Sequence, residues 1–257
     1  MNGVNKTLYI PLYGKSYVSR KGIILNDKKA EQIWAAEGFA LKGKSRSKWL
    51  AYYMGIRAAV FDEWVTEQMA TDPEAVVIHI GCGMDSRVLR VGAMGHRWYD
   101  VDFPEVIGER RRYYAESAEY QMLAADVRDA RWLSDIPEST SAIVVMEGVS
   151  MYLKSDERRE LTASLCTRFR RISLLMDCYT EMAAKMSKYR NPIKEVGVTE
   201  VYGMDDPTTL DGFLRELDMT PQDLIQELQG MERKVFQTLY AGGVAKKMYR
   251  LYEYQRP

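Results

Sequence analysis

Apolar residues recur along this chain in two alternating registers, which predict a layered α/β protein. From about Ser47 to Met69, residues Leu50, Tyr53, Met54, Val60, Phe61, Trp64 and Val65 fall at three-and-four spacing, the stripe of an amphipathic helix. Short apolar runs follow at Val76–Ile80, Trp98–Phe103, Gln121–Ala125, Ala142–Met146 and Ile172–Met176. Helix-period stretches lie between them. Val88, Leu89, Val91 and Met94 follow the first run, and Pro104 opens a helix after the second. Leu161, Leu165 and Phe169 follow the fourth, in a helix begun by Ser155-Asp156-Glu157 with an acidic first turn. Strands alternating with helices predict βαβ units and a parallel sheet.

The flanks read differently. Residues 6–44 are mixed and aromatic, with Tyr13, Tyr17 and a turn at Asn26-Asp27, and predict helical pieces joined by loops. Residues 179–212 carry Met182, Met186, Tyr189, Tyr202 and Met204 with the basic Lys185, Lys188, Arg190 and Lys194, interrupted by Pro192, Gly197 and Gly203. That mixture predicts a lid over an adaptable organic pocket. Two helices are expected next, from Asp206-Pro207 and from Thr220-Pro221, and the tail Met248–Tyr254 reads as a last strand. A length of 257 residues suits one domain, with residues 1–70 as a helical cap.

Charge narrows the classes. Lys plus Arg and Asp plus Glu number 36 each, so no global field draws the chain to nucleic acid or an anionic membrane. The basic run Arg110, Arg111, Arg112 reads as a solvated helix face. No apolar run is long enough to span a bilayer, and Met1–Lys6 shows no secretory pattern, so the expected address is cytoplasmic. The three cysteines, Cys82, Cys166 and Cys178, lack metal-ligand spacing and fit reduced thiols; no metal is expected.

Candidate chemistry gathers where the predicted strands end. The first strand breaks into Gly81-Cys82-Gly83 before a helix, a turn that lets a ligand approach the backbone and a helix N-terminus. Later strands end in Asp102, Asp126, Glu147 and Asp177. Parallel strands bring such ends to one sheet edge, where open α/β folds bind ligands. An acid rim without a Walker sequence repels a triphosphate, so the expected ligand is a nucleoside carrying little negative charge. Arg57 lies on the buried stripe of the long helix and needs an anion. A local Asp or Glu in a structural salt bridge and the carboxylate of a bound ligand both fit, and both readings stand at this point. A nicotinamide-dependent dehydrogenase shares the glycine turn and acidic strand end, but it usually wants a third glycine where this chain has Ser86.

Three blocks carry a resemblance. Ile80-Gly81-Cys82-Gly83-Met84-Asp85-Ser86-Arg87, Tyr99-Asp100-Val101-Asp102-Phe103-Pro104-Glu105-Val106-Ile107 and Met146-Glu147-Gly148-Val149-Ser150-Met151-Tyr152-Leu153 resemble the leucine carboxyl methyltransferase family. The opening Thr7–Tyr13 is similar to the family's bacterial branch, which includes a polyketide carboxyl O-methyltransferase. The likeness runs over about residues 6–180 and is vague beyond. It implies a class I methyltransferase fold, a Rossmann-like, mostly parallel seven-stranded sheet, using S-adenosylmethionine and no metal. On that resemblance Gly81 and Gly83 approach the methionine part, Asp102 pairs with the ribose hydroxyls, and Asp126 with Val127 flanks the adenine. Glu147 lies near the amino group and Arg57 holds the carboxylate. Lys15 matches a family lysine near the cofactor, with Arg20 as the competing match.

A small organic acceptor is expected, with residues 179–212 as the lid on its side. A hydroxyl acceptor gains from a general base, and both histidines are poorly placed: His79 lies inside the first strand and His96 in the turn before the second. A carboxylate needs only groups to hold it. Lys188, Arg190 and Lys194 suit that role, and Tyr152 and Tyr179, beyond the fourth and fifth strands, are candidates to touch the acceptor. Carboxyl methylation is therefore favoured over hydroxyl methylation. Methylation of a protein C-terminus and a catalytically silent binding module are the remaining alternatives.

Overall fold

The protein's computed structural model describes residues 7–37, 41, 43–187, 200–207 and 213–256. The cap contributes helices α1 (Tyr9–Lys21), α2 (Lys28–Glu37) and the long α3 (Lys48–Thr71). Then β1 (Val76–Ile80), α4 (Arg87–Val91), β2 (Trp98–Asp102), α5 (Pro104–Arg110) and β3 (Tyr120–Ala124) form one half of the sheet. The other half holds β4 (Ser141–Met146), α6 (Ser155–Arg168), β5 (Arg171–Tyr179) and α7 (Glu181–Ser187). It continues through β6 (Phe213–Leu217), α8 (Gln222–Gln226), α9 (Gly230–Leu239), α10 (Gly243–Lys246) and β7 (Tyr249–Arg256). The seven strands form one sheet in the order β3-β2-β1-β4-β5-β7-β6. Strands β1 to β5 pair in parallel, and β7 lies antiparallel between β5 and β6.

The central strands β1, β2, β4 and β5 are buried on both faces along most of their length. Val77, Ile143, Val145, Leu175 and Leu251 point into the core shared with the cap helices. Val76, Ile78, Val144, Met146, Leu174 and Met176 point into the opposite core, which Leu161, Leu165 and Phe169 of α6 and its end complete. Continuous apolar runs instead of polar alternation follow from this double cover. The chain winds outward from β1 to β3, then returns to place β4 on the other side of β1. The crevice at the carboxyl ends of β1 and β4 is thus the topological switch point, where such sheets bind ligands.

Two helices of the cap reach that crevice because they pack unusually close. A Cβ on Gly14 of α1 would lie 2.5 Å from Met54 Cβ, and one on Gly55 of α3 would lie 2.8 Å from Val18. The glycines let the backbones approach, which carries Lys15 and Arg57 to the same floor. At the other side, Glu232 of α9 takes Lys21, Lys48 and Tyr52, tying the late helices to the cap.

Two expectations are corrected. Residues 213–217 form strand β6, where a helix begun at Asp206-Pro207 was expected; residues 208–212 lie outside the described residues. The ladder to β7 and the pairing of Arg215 with Glu253 at 2.7 Å override a local helix-start signal. The second concerns the arginine run. Arg111 and Arg112 are exposed as expected, but Arg110 is fully buried. Its guanidinium pairs with Asp100, donates to Tyr120 Oη at 3.0 Å and to the Gly83 carbonyl at 3.0 Å, and lies over the Tyr114 ring. The helix period puts Arg110 on the sheet-facing side, four residues after Val106, and Asp100 supplies its anion. Replacing Arg110 by Ala should cost about 3–5 kcal/mol, the usual effect of stranding a buried charge, read as a fall in the urea midpoint.

Candidate active site

A cavity of about 620 Å³ opens along the carboxyl edge of the sheet, between the glycine turn, the ends of β2 to β5 and the cap helices α1 and α3. The turn itself requires its first glycine. Gly81 has φ +65°, and a Cβ there would sit 2.3 Å from Val149 Cγ2, so a side chain is barred by backbone and neighbour alike. Gly83 lines the cavity with its backbone, and its N–H donates to Asp102 Oδ2 at 2.8 Å. Phe103 N–H holds Oδ1 of the same carboxylate at 2.8 Å. Asp102 is therefore fixed in position at the half-buried lip of the crevice. Burial outweighs its two backbone donors and the Arg110 charge, and raises its pKa to about 6.

The floor is a lattice of buried charge. Glu147 directly follows β4 and is 8% exposed. It accepts from Arg57 Nε at 3.0 Å and from Arg87, with Lys15 Nζ 4.0 Å away. Burial disfavours its ionised form, but the charges of Lys15, Arg57 and Arg87 outweigh burial and hold its pKa well below the usual range. Asp85 repeats the pattern: Lys15 Nζ lies 2.8 Å from it, Arg90 Nη1 2.7 Å and Arg87 Nη2 3.4 Å. Asp27 caps α2 through Ala30 N–H, accepts from Ser86 Oγ and pairs with Arg90 at 2.7 Å. The cap, the glycine turn and the end of β4 are thus one connected ionic structure.

Arg57 answers the open question about its anion in an unexpected way. Its partners are acids far along the chain: Glu147, just after β4, and Asp177, within β5, at 3.1 Å. Tyr249 Oη accepts from Nη1 at 3.0 Å. The same guanidinium lines the cavity. A structural ion pair and a cavity-lining position therefore coexist in one residue.

The structure brings Lys15, Arg57, Gly81, Gly83, Asp102, Asp126, Val127 and Glu147 together around this cavity, with Tyr152 and Tyr179 also in its lining. Arg20 is exposed and donates to Ser16 O, which leaves Lys15 as the lysine or arginine of α1 that reaches the site. Asp126 sits at the outer lip, its pKa lowered first by hydrogen bonds from Arg128. Asp177 is buried beneath Arg57 instead of forming rim. Tyr179 is the last residue of β5, which runs two residues beyond Asp177 because β7 extends the ladder. Arg190, Lys188 and Lys194 lie outside the described residues, as does much of the expected lid.

Several cavity residues had no functional reading in the sequence. Tyr53 and Met54 appeared only as core stripe, yet Tyr53 is one helical turn before Arg57 and shares its face. Met248 precedes β7 and Tyr249 opens it; because that strand is antiparallel to β5, its first residue lies beside the carboxyl end of β5. Tyr249 meets Tyr179 edge-on at 5.0 Å and Tyr53 at 6.1 Å between ring centroids. With Tyr152, Tyr240, Met151 and Met248 these rings make an apolar end to the cavity. Burial pushes the Tyr53, Tyr152 and Tyr249 phenols up, so they stay protonated.

The family model for leucine carboxyl methyltransferase matches residues 11–166, more than half of the chain. The chain belongs to the leucine carboxyl methyltransferase family. It is 29% identical over 213 residues to the tetracenomycin polyketide synthesis O-methyltransferase TcmP of Streptomyces glaucescens, covering 82% of this chain and 79% of that one. It is also 27% identical over 234 residues to the S-adenosyl-L-methionine-dependent methyltransferase dpfgK of Gibberella zeae, covering 82% and 78%. The fold matches the crystal structure of a DUF574 family protein from Streptomyces avermitilis, with a TM-score of 0.58, 10% identity and 90% of each chain covered. Family membership displaces the dehydrogenase alternative: this leucine carboxyl methyltransferase relative is a methyltransferase enzyme with a Rossmann-like sheet. Among the described residues no helix is long and apolar enough to cross a membrane, and no cluster of His, Cys, Asp and Glu is arranged to hold a metal.

The raised pKa of Asp102 has a measurable sign. A carboxyl whose folded pKa exceeds its unfolded value binds more protons when folded, so its ionisation lowers stability as pH rises between about 4 and 6. Relative to Asp102→Asn, the wild type should lose stability across that window and stay level above it, measured as paired urea titrations from pH 4 to 7.5.

Proposed function

We propose that this chain is an S-adenosylmethionine-dependent O-methyltransferase that esterifies the carboxylate of a small organic acid bearing an aromatic framework. The observation that carries the reading is the two-ended cavity. Among the described residues lining it, four carboxylates (Asp85, Asp102, Asp126, Glu147) face three fixed cations (Lys15, Arg57, Arg128), which leaves one net negative charge. His79 adds none, because burial lowers its pKa and keeps it neutral. An acid-rich floor next to paired cations suits a nucleoside with a cationic centre and an amino-acid tail.

The residues present fit that cofactor. Glu147 and Asp85 suit its ammonium, Lys15 and Arg57 its carboxylate, Asp102 the ribose hydroxyls, and Asp126 with Val127 the adenine edge. When bound, S-adenosylmethionine supplies a methyl group on an already activated sulfonium, open to in-line displacement. The protein's part is to align an acceptor oxygen with that methyl group and exclude water. Tyr53, Tyr152, Tyr179, Tyr240 and Tyr249 give the acceptor apolar, ring-lined walls that also carry hydroxyls able to bind an oxyanion. Arg190 is proposed to join them.

Placement of the two histidines favours a carboxylate over a hydroxyl. His79 lies between Arg87, at 3.2 Å, and Asp100, at 3.3 Å, beneath the glycine turn. His96 is bonded to the Ala75 carbonyl at the opposite edge of the sheet. Neither imidazole is at the aromatic end, so neither serves a hydroxyl acceptor as base, whereas a carboxylate reacts as its own anion. The likeness to a polyketide O-methyltransferase supports a small-molecule acceptor over a protein C-terminus. A panel of aromatic acids and their phenolic counterparts, incubated with S-adenosylmethionine and analysed by mass spectrometry, tests this. Products should be methyl esters that mild alkali cleaves; alkali-stable ethers would contradict it.

A further inference from the structure

Tyr249 stands where the two ends of the cavity meet. Its ring packs against Tyr179 and Tyr53 on the aromatic side. Its hydroxyl reaches into the ionic floor: it accepts from Arg57 Nη1 at 3.0 Å and donates to Asp177 Oδ2 at 2.6 Å. Asp177 is itself fully buried and held by Gly148 N–H at 2.7 Å on its other oxygen. Asp177 also pairs directly with the same Nη1 at 3.1 Å. One edge of the Arg57 guanidinium is therefore fixed by a two-member clamp, while Nε and Nη2 lie against Glu147. The planar fork of an arginine keeps its donors in one geometry, so holding Nη1 sets the direction of the whole group.

We infer that Tyr249 is a positioning residue for cofactor binding: with Asp177 it locks Arg57 in the orientation that meets the carboxylate of the cofactor's amino-acid tail. This rests on the proposed cofactor reading of the cavity. The clamp comes from β5 and the antiparallel β7, the guanidinium it orients from the cap, and the opposing Glu147 from the end of β4, so four distant segments must agree for the grip to form. Its effect is confined to the tail, because Asp102 at the ribose end is held by Gly83 and Phe103 N–H groups and touches neither clamp residue.

That confinement gives a test with two ligands. S-adenosylhomocysteine carries the amino-acid tail; 5′-methylthioadenosine carries the same adenosine and thioether sulfur without it. Tyr249→Phe keeps the ring and removes both hydrogen bonds. Calorimetry on the intact protein should show S-adenosylhomocysteine bound roughly tenfold more weakly by Y249F, the usual effect of losing a hydrogen bond to a charged group, with 5′-methylthioadenosine within twofold of wild type. Asp177→Asn, which spares the Gly148 contact, should give the same split. Combined with Arg57→Ala, Y249F should add nothing further. Equal S-adenosylhomocysteine affinity in folded Y249F and D177N, or equal weakening of both ligands, overturns the clamp. A wild-type protein that binds neither nucleoside overturns the cofactor reading itself, a distinguishable result.

Discussion

Glu147 can be ionised inside this protein only because three cations converge on it, and most of the functional architecture follows from that requirement. A carboxylate that is almost fully buried needs its partners fixed in place. Lys15 comes from α1, Arg57 from α3 and Arg87 from the start of α4, so a single strand end anchors two cap helices and the helix after the glycine turn. Asp85 and Asp27 extend the same logic to Arg90 and α2. Such pairs are weak arguments for stability, since desolvation offsets much of their attraction. Their consequence here is geometric: the charges that face the cavity are oriented before any ligand arrives.

The remaining chemistry is arranged around that floor by ordinary features of the sheet. Parallel strands deliver Asp102, Asp126 and Glu147 to one edge, and the return from β3 to β4 opens the crevice between them. The antiparallel β7 inserts its first residues at that same edge, which is how a tyrosine near the C-terminus comes to share a guanidinium with the cap. Arg110 supports the glycine turn from below through the Gly83 carbonyl, so the turn is held both by its own glycine conformation and by a buried ion pair. The aromatic end follows from side chains on α3, β5 and β7 whose rings meet within about 6 Å.

Much of this was legible in the chain because the signals are local and periodic. Five strand runs, the long α3 stripe and the acidic strand ends could be read residue by residue, and their meeting on one edge follows from parallel pairing alone. Tyr53 was legible too, four positions before Arg57, once the helix face is taken as cavity wall as well as core. What sequence spacing did not carry were partners set by tertiary pairing. Nothing near Arg57 in sequence points to Asp177, 120 residues away, and the Arg110 to Asp100 pair overrode a run that resembles a solvated face. The strand at 213–217 was hidden for the same reason: its ladder partner lies at the chain's end, while its local cue was a helix start.

On the proposed cofactor reading, the Glu147 lattice recognises the amino-acid tail of the cofactor. Calorimetric titration of S-adenosylhomocysteine into Glu147→Gln, in protein whose circular dichroism matches wild type, decides the matter. Affinity should be more than about tenfold weaker, because an amide replaces the charge proposed to face the ligand's ammonium. Affinity within twofold of wild type in that folded variant would contradict it.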